Sequence, residues 1–266
     1  MWYDAHNHLH DPRLAPHLPS FLATLDASGI QAMVVNGTSE NDWDHVLSLA
    51  RRSPRIIPSI GLHPWKVPTR SPQWEATLQI LLDAHPCAIG EIGLDKWKPD
   101  LPYHDQEEVF LFQMKLAADR NLPASIHVLK AWDRLPPLLR ESGVPACGFL
   151  LHSWGGPPEQ LPLLLDLGAH VSFPGYFARP GKEKRRLAFA KVPHHRLLVE
   201  TDAPDQPLPD PLVLHPLDHR LNHPANLPAV YAALAETLNL PLPALAGLIE
   251  QNFHRLFGSL IHRAQL

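Results

Sequence analysis

The stretch Trp2-Tyr3-Asp4-Ala5-His6-Asn7-His8-Leu9-His10 (residues 2–10) opens the chain with a short apolar run that ends in alternating histidines. Successive side chains of an extended chain point to opposite faces, so His6 and His8 share one side. The pattern recurs along the chain. Short apolar runs at 2–4, 31–36, 56–61, 88–91, 124–127, 148–152, 170–173 and 197–200 read as strands. Between and after them lie amphipathic stretches of helical period at 18–27, 42–52, 74–84, 105–120, 132–141, 158–167, 182–191, 227–238 and 242–257. Strands separated by helices pair in parallel through right-handed crossovers. A doubly wound open sheet is the rival, but the first strand lacks a GxGxxG turn. Eight strand–helix units in 266 residues predict an α/β protein: a single (β/α)8 TIM barrel over 1–266 with an additional C-terminal helix.

Composition narrows the function classes. The 45 % apolar and 19 % charged content excludes intrinsic disorder. A net charge of -4 excludes a basic coat, though not a local basic patch. The 30 prolines, poorly tolerated inside helices and central strands, are expected to punctuate loops. Cys87 and Cys147 read as buried reduced thiols. The opening MWYDAHNHLH has no signal-peptide pattern, and no apolar run reaches the roughly 20 residues of a membrane span. A cytoplasmic monomer without a membrane partner is expected.

The polar residues at the strand ends carry the chemistry. The first strand leads to His6 and His8, the third to His63, the fourth to Glu91 and Asp95, the fifth to His127, the sixth to His152 and the eighth to Asp202. In a barrel the C-terminal strand ends meet on one face, where active sites lie. Of these, the four imidazoles of His6, His8, His127 and His152 and the two carboxylates of Glu91 and Asp202 exceed the needs of one four-coordinate ion and suit two divalent ions. Imidazole-rich ligation suits zinc and other transition ions, whereas magnesium prefers oxygen. Zinc, magnesium and manganese all stay open. Burying so many polar groups without an ion or a hydrogen-bond network is costly. Other histidines, among them His17, His170, His215 and His262, read as surface or hydrogen-bonded core residues.

The segments DAHNHLH (4–10), GLHP (61–64), GEIGLD (90–95), SIHV (125–128), LHSWGG (151–156) and ETDAP (200–204) together resemble the motif series of the TatD-type metal-dependent deoxyribonucleases, within the amidohydrolase-like barrels. The resemblance continues through YHDQEEVF (103–110), NHPANLP (222–228) and NFHRLFG (252–258). It implies that His6, His8, Glu91 and Asp202 hold one ion, and that Glu91 bridges to a second held by His127 and His152. It also implies three catalytic residues: Asp202 as general base or orienting acceptor to the attacking water, Glu91 as the bridge, and His63 acting through a neighbouring ligand or touching a phosphate or leaving group. Asp4 reads as structural, and Asp95 as a turn residue or a partner of a ligand. Glu91 stands where many amidohydrolase relatives carry a carbamylated lysine.

The resemblance therefore implies a divalent-metal-dependent phosphodiesterase, a 3′-5′ exonuclease-like deoxyribonuclease acting on single-stranded DNA or 3′ ends. The alternative is a carbonyl hydrolase, a deacylase or deacetylase acting on a small-molecule ester or amide or an aminoacyl ester. A non-catalytic metal-binding scaffold is the third reading. Lys96, Lys130, Arg134 and Arg179 are candidate phosphate contacts, while 182–186 reads first as a solvated helix face. Trp65, Trp97 and Trp154 are expected in loops over the pocket. The chain departs from the family pattern at Val128-Leu129-Lys130, where serine and arginine are usual. It departs again at Asp205, in place of tyrosine, and at Leu221-Asn222-His223-Pro224. A missing arginine and an added carboxylate both weaken phosphate binding in principle.

Overall fold

The computed structural model describes residues 1–263; residues 264–266 of the expected domain and the side chains of His262 and Arg263 lie outside it. Eight parallel strands stand in sequence order: β1 (Trp2–Asn7), β2 (Ile30–Asn36), β3 (Ile56–Ile60), β4 (Ala88–Asp95), β5 (Ala124–Leu129), β6 (Phe149–Leu151), β7 (Ala169–Pro174) and β8 (Leu197–Glu200). Seven helices alternate with them: α1 (Leu18–Thr24), α2 (Glu40–Arg52), α3 (Trp74–Ala84), α4 (Tyr103–Arg120), α5 (Leu135–Ser142), α6 (Leu161–Asp166) and α7 (Glu183–Ala188). α8 (Leu227–Leu238) and the expected C-terminal helix α9 (Leu242–Arg263) follow β8. The strands are apolar runs rather than alternating ones because helices cover one face and the barrel interior the other.

Regular ladders join each strand to the next from β1 to β8. The seam between β8 and β1 closes differently. The Asp202 amide donates to the His6 carbonyl at 3.0 Å, and the His8 amide to the Ala203 carbonyl at 2.7 Å. Buried Asp4 accepts from the Thr201 amide (3.0 Å) and hydroxyl (2.6 Å), so its role at this seam is structural. α9 covers the same strands with Leu245, Ile249, Phe253, Leu256 and Leu260, all buried at helical spacing. Each such side chain contributes roughly 1.5–3 kcal/mol.

Several boundaries differ from the sequence expectation. β1 and β4 run past the expected 2–4 and 88–91, and both are irregular: the register shifts between Asp4 and Asn7 and between Ile89 and Ile92. Such irregularities re-aim side chains near sites, and here they involve His6 and Glu91. α5 starts at Leu135 instead of Trp132, because Pro136 and Pro137 fit only a first helical turn. Trp132 is therefore left in the preceding loop. The expected helices at 158–167 and 182–191 each split into an α-helix and a short 3-10 turn. Cys87 is buried as expected, but Cys147 is partly exposed; both thiols are free. Among the described residues no single helix is long and apolar enough to cross a membrane.

His170, expected as a surface or hydrogen-bonded histidine, is buried in β7, and neither ring nitrogen has a hydrogen-bond partner. Burial pushes its pKa down to about 3. The unfolded chain therefore takes up a proton near pH 6.5 that the folded chain refuses. Stability attached to this residue is full above that pH and is lost as pH falls toward 3. His170→Leu removes the linkage. Its stability relative to wild type is expected to rise by about 2 kcal/mol between pH 7.5 and pH 5, since each pKa unit is worth about 1.4 kcal/mol. Urea unfolding at the two pH values measures it, and a pH-independent difference would exclude the mechanism.

Candidate metal centre

The C-terminal strand ends bring His6, His8, His63, Glu91, His127, His152 and Asp202 into one cluster. In its first half, the His6 and His8 Nε2 atoms are 3.3 Å apart. Glu91 Oε2 lies 3.6 Å from His6 Nε2 and 3.2 Å from His8 Nε2. Asp202 Oδ1 lies 3.6 and 3.5 Å from the same two nitrogens. In the second half, His127 Nδ1 and His152 Nε2 are 3.2 Å apart. Glu91 Oε1 stands 3.3 Å from the first and 2.9 Å from the second. Ligand atoms about 2.0–2.1 Å from a tetrahedral ion stand about 3.3–3.4 Å from one another, so both halves have the spacing of a coordination shell.

The outward ring nitrogens fix which lone pairs face inward. His8 Nδ1 donates to the Asn36 carbonyl at 2.7 Å, leaving Nε2 as an acceptor toward the cluster. His127 Nε2 bonds Asp95 Oδ2 at 3.0 Å, leaving Nδ1 inward. His6 Nδ1 meets the Ser125 hydroxyl at 2.7 Å, whereas His152 Nδ1 lies 3.7 Å from Glu200 Oε1, beyond hydrogen-bond reach. Imidazole nitrogens and carboxylate oxygens thus converge at the spacing of a coordination shell, where a cation can take the place of the ring protons that the carboxylates otherwise hold on His8. Metal-ligating histidines usually have such an outer partner for the second nitrogen. The donor set fits divalent ions.

His63 differs from the other four histidines. Its Nδ1 accepts the Trp65 amide at 3.1 Å, so in the neutral ring the proton sits on Nε2, 3.4 Å from Glu91 Oε1. Burial lowers its pKa to about 4, which keeps the ring neutral. The same burial takes His6 down to about 3. Burial opposes charge on His8 too, but Glu91 and Asp202 hold it up at about 9. Burial would raise Glu91, yet His63, His152 and His127 hold it well below the usual carboxylate range. Asp202 is pushed up to about 7 by burial, against the pull of His152 and His8.

Several supporting residues escaped the sequence reading. Gln206 donates to Asp202 Oδ2 at 2.6 Å and also bonds Ser153. α4 carries two glutamines whose amides clamp backbone at the site. Gln113 bonds the Leu62 amide and carbonyl at 2.7 and 3.2 Å, beside His63, and Gln106 bonds those of Asp95 at 2.8 and 3.1 Å. Their spacing of seven, two helical turns, was the available signal. Buried Glu200 takes both the Ser153 and Ser172 hydroxyls. Asn222 donates to the Thr201 carbonyl at 2.7 Å, so the 222–228 segment braces the Asp202 loop.

The expected substrate contacts separate into two groups. Trp65 is partly exposed and Trp97 is 52 % exposed; Asp95 holds the first through its indole N–H (2.7 Å) and the second through its amide (2.6 Å). Trp154 is instead buried, packed edge-on against Phe189. Lys96 lies 3.6 Å from Asp133, and Arg134 is bidentate to Glu107, so both are engaged. A cleft of about 800 Å³ opens beside His127 and His152, and Lys130 lines it with Lys182, Lys184 and Arg185. The 182–186 segment is therefore a cleft wall as well as a solvated face. Asp205 is not a free carboxylate, because Arg13 holds it in a bidentate pair at 2.9 and 2.8 Å.

Comparison with known proteins agrees with this geometry. The metal-dependent hydrolase YjjV of Escherichia coli K12 is 29 % identical over 258 residues, covering 96 % of this chain and 97 % of that protein. The 3′-5′ ssDNA/RNA exonuclease TatD of Escherichia fergusonii is 32 % identical over 239 residues, 87 % of this chain and 89 % of its own. The crystal structure of YjjV superposes with a TM-score of 0.88 over 97 % of this chain and 98 % of that one, at 28 % identity. The profile of the TatD related DNases matches residues 3–258, so the chain belongs to the TatD related DNase family.

Proposed function

We propose that this metal-dependent hydrolase of the TatD related DNase family removes nucleotides from the 3′ end of single-stranded nucleic acid. Two divalent ions are assigned to the cluster. His6, His8, Glu91 and Asp202 hold one, and Glu91, His127 and His152 hold the other. The observation that carries the reading is the pair of donor sets with 2.9–3.6 Å spacings sharing the one carboxylate of Glu91. The substrate class is supported by the relative named 3′-5′ ssDNA/RNA exonuclease TatD. Bound divalent ions lower the pKa of water and offset charge on phosphate oxygens. Zinc suits the imidazole-rich set better than magnesium or manganese, which prefer oxygen ligands.

The chain's own residues then have defined tasks. Asp202 accepts the proton of the attacking water, while Gln206 holds its second oxygen at 2.6 Å and fixes its direction. His63 donates its Nε2 proton in a hydrogen bond to a phosphate oxygen. Water adds to phosphorus as the P–O3′ bond breaks; the departing oxygen takes up a proton, leaving a shortened 3′-hydroxyl and a 5′-monophosphate. Asp95 keeps His127 oriented through Nε2.

The test is single-stranded DNA labelled at its 5′ end, incubated with a metal-quantified preparation plus manganese or magnesium, against a chelated control. Stepwise shortening that stops on chelation and weakens as salt rises is expected, because phosphate contacts release counterions. Intact DNA from protein carrying two ions would overturn the reading and turn the search to esters and amides.

A further inference from the structure

The cleft beside His127 and His152 concentrates positive charge in a chain whose net charge is -4. Its lining includes Lys130, Lys182, Lys184 and Arg185 and no aspartate or glutamate. Among the described residues no ion pair joins any of these four to a carboxylate, whereas Lys96 and Arg134 nearby are paired. Holding like charges around one concavity is unfavourable unless an anion enters it. The cleft's volume, about 800 Å³, falls within the roughly 300–1,000 Å³ of small-molecule sites.

Flat apolar surfaces complete the lining. Trp97 presents an exposed ring at the rim, and Trp132 and Tyr176 are half-buried along the wall. The loop after β6 is shaped to admit them. A Cβ on Gly156 would stand 2.9 Å from the Trp132 ring, and one on Gly155 would stand 2.1 Å from Arg185 Nη1. Arg185 in turn donates to the Gly155 carbonyl, which aims the guanidinium along the wall. Cations that follow a backbone, interleaved with aromatic faces, are the means by which single-stranded nucleic acid is held without reading its sequence.

We infer that this cleft is the subsite for the nucleotide next to the scissile phosphate, with Trp97 stacking on its base and Lys182, Lys184 and Arg185 holding the phosphate behind it. The inference rests on the phosphodiesterase reading and adds where the strand runs: away from the metal centre over the β5, β6 and β7 loops. It also answers the departure at Lys130, since cations from α7 and its approach supply charge that the fifth-strand loop lacks as arginine.

Binding is measured by fluorescence anisotropy of a labelled short oligothymidylate over a range of salt, using metal-loaded Asp202→Asn protein so that the strand is retained. Adding Lys184→Ala with Arg185→Ala is expected to weaken binding about tenfold and to reduce the slope of log K against log salt by about 0.7, the value for one neutralised phosphate on a single strand. Lys184→Arg alone keeps the parent slope. Trp97→Leu is expected to weaken binding about tenfold with the slope unchanged, and to have no effect on an abasic strand, because it removes stacking and no charge. In the cleaving protein the same changes raise KM far more than they lower kcat. Affinities and slopes equal to the parent's would overturn the subsite while a DNA-cleaving wild type kept the proposed function. A wild type that leaves DNA intact would instead bring down the proposed function, and the subsite with it.

Discussion

Asp202→Asn is expected to lower kcat on single-stranded DNA by about 10³-fold, within the roughly 10²–10⁴ that a positioned general base contributes, while the protein stays folded. The fold is spared for a local reason. Asp202 has a left-handed backbone with φ of 52°, and asparagine is among the few side chains that adopt this region readily. The amide oxygen still accepts from Gln206, and the backbone bond from residue 202 to the His6 carbonyl is untouched. Lost are the negative charge facing His6 and His8 and the lone pair that takes up the water's proton. Single-turnover cleavage at saturating manganese, with metal content and thermal unfolding on the same preparation, separates these effects. Near-normal turnover would remove Asp202 from the mechanism. A collapsed melting temperature would show that its contribution is architectural.

Glu91→Gln is expected to be the more damaging change, dropping metal content from the proposed two ions per chain to below one and kcat by about 10⁴-fold or more, because the proposed bridge is lost. Its carboxylate reaches every other member of the cluster except Asp202. Oε2 lies 3.2 Å from His8 and 3.6 Å from His6, and Oε1 lies 2.9, 3.3 and 3.4 Å from His152, His127 and His63. Glutamine matches the shape but carries no charge, and its NH₂ group points two donors where acceptors are required. Elemental analysis after dialysis decides the point. Retention of two ions with intact turnover would exclude Glu91 as the bridge.

Much of the site was legible in the sequence because a barrel converts sequence order into place. Each apolar run buries both faces of a strand, and the polar residue that ends the run must then sit at the rim. Hence His63, His127, His152 and Asp202 could be named from position alone, and His6 with His8 from a spacing of two. The outer partners were harder to see. Leu62 and Gln113 are 51 positions apart, and Gln113 looks like any polar residue on a helix until its amide meets a strand backbone.

Charge was misread for the same kind of reason. Asp205 in isolation is a repelling carboxylate near phosphate, but Arg13, 192 residues away, neutralises it. The 182–186 run looks like a solvated face because local sequence does not say which concavity a helix borders. Trp154 follows a ligand-bearing strand closely, as Trp97 does, yet one is buried against Phe189 and the other is exposed.

By itself, the sequence determined the parallel barrel, the C-terminal helix and the identity of the residues gathered at one rim, because these follow from periodicity and strand order. Only the tertiary structure decided which imidazole nitrogen faces inward and which cations, among the described residues, border the cleft without a carboxylate partner. Those are outcomes of close approach between segments far apart in the chain, where a shift of a few tenths of an ångström separates a hydrogen bond from none.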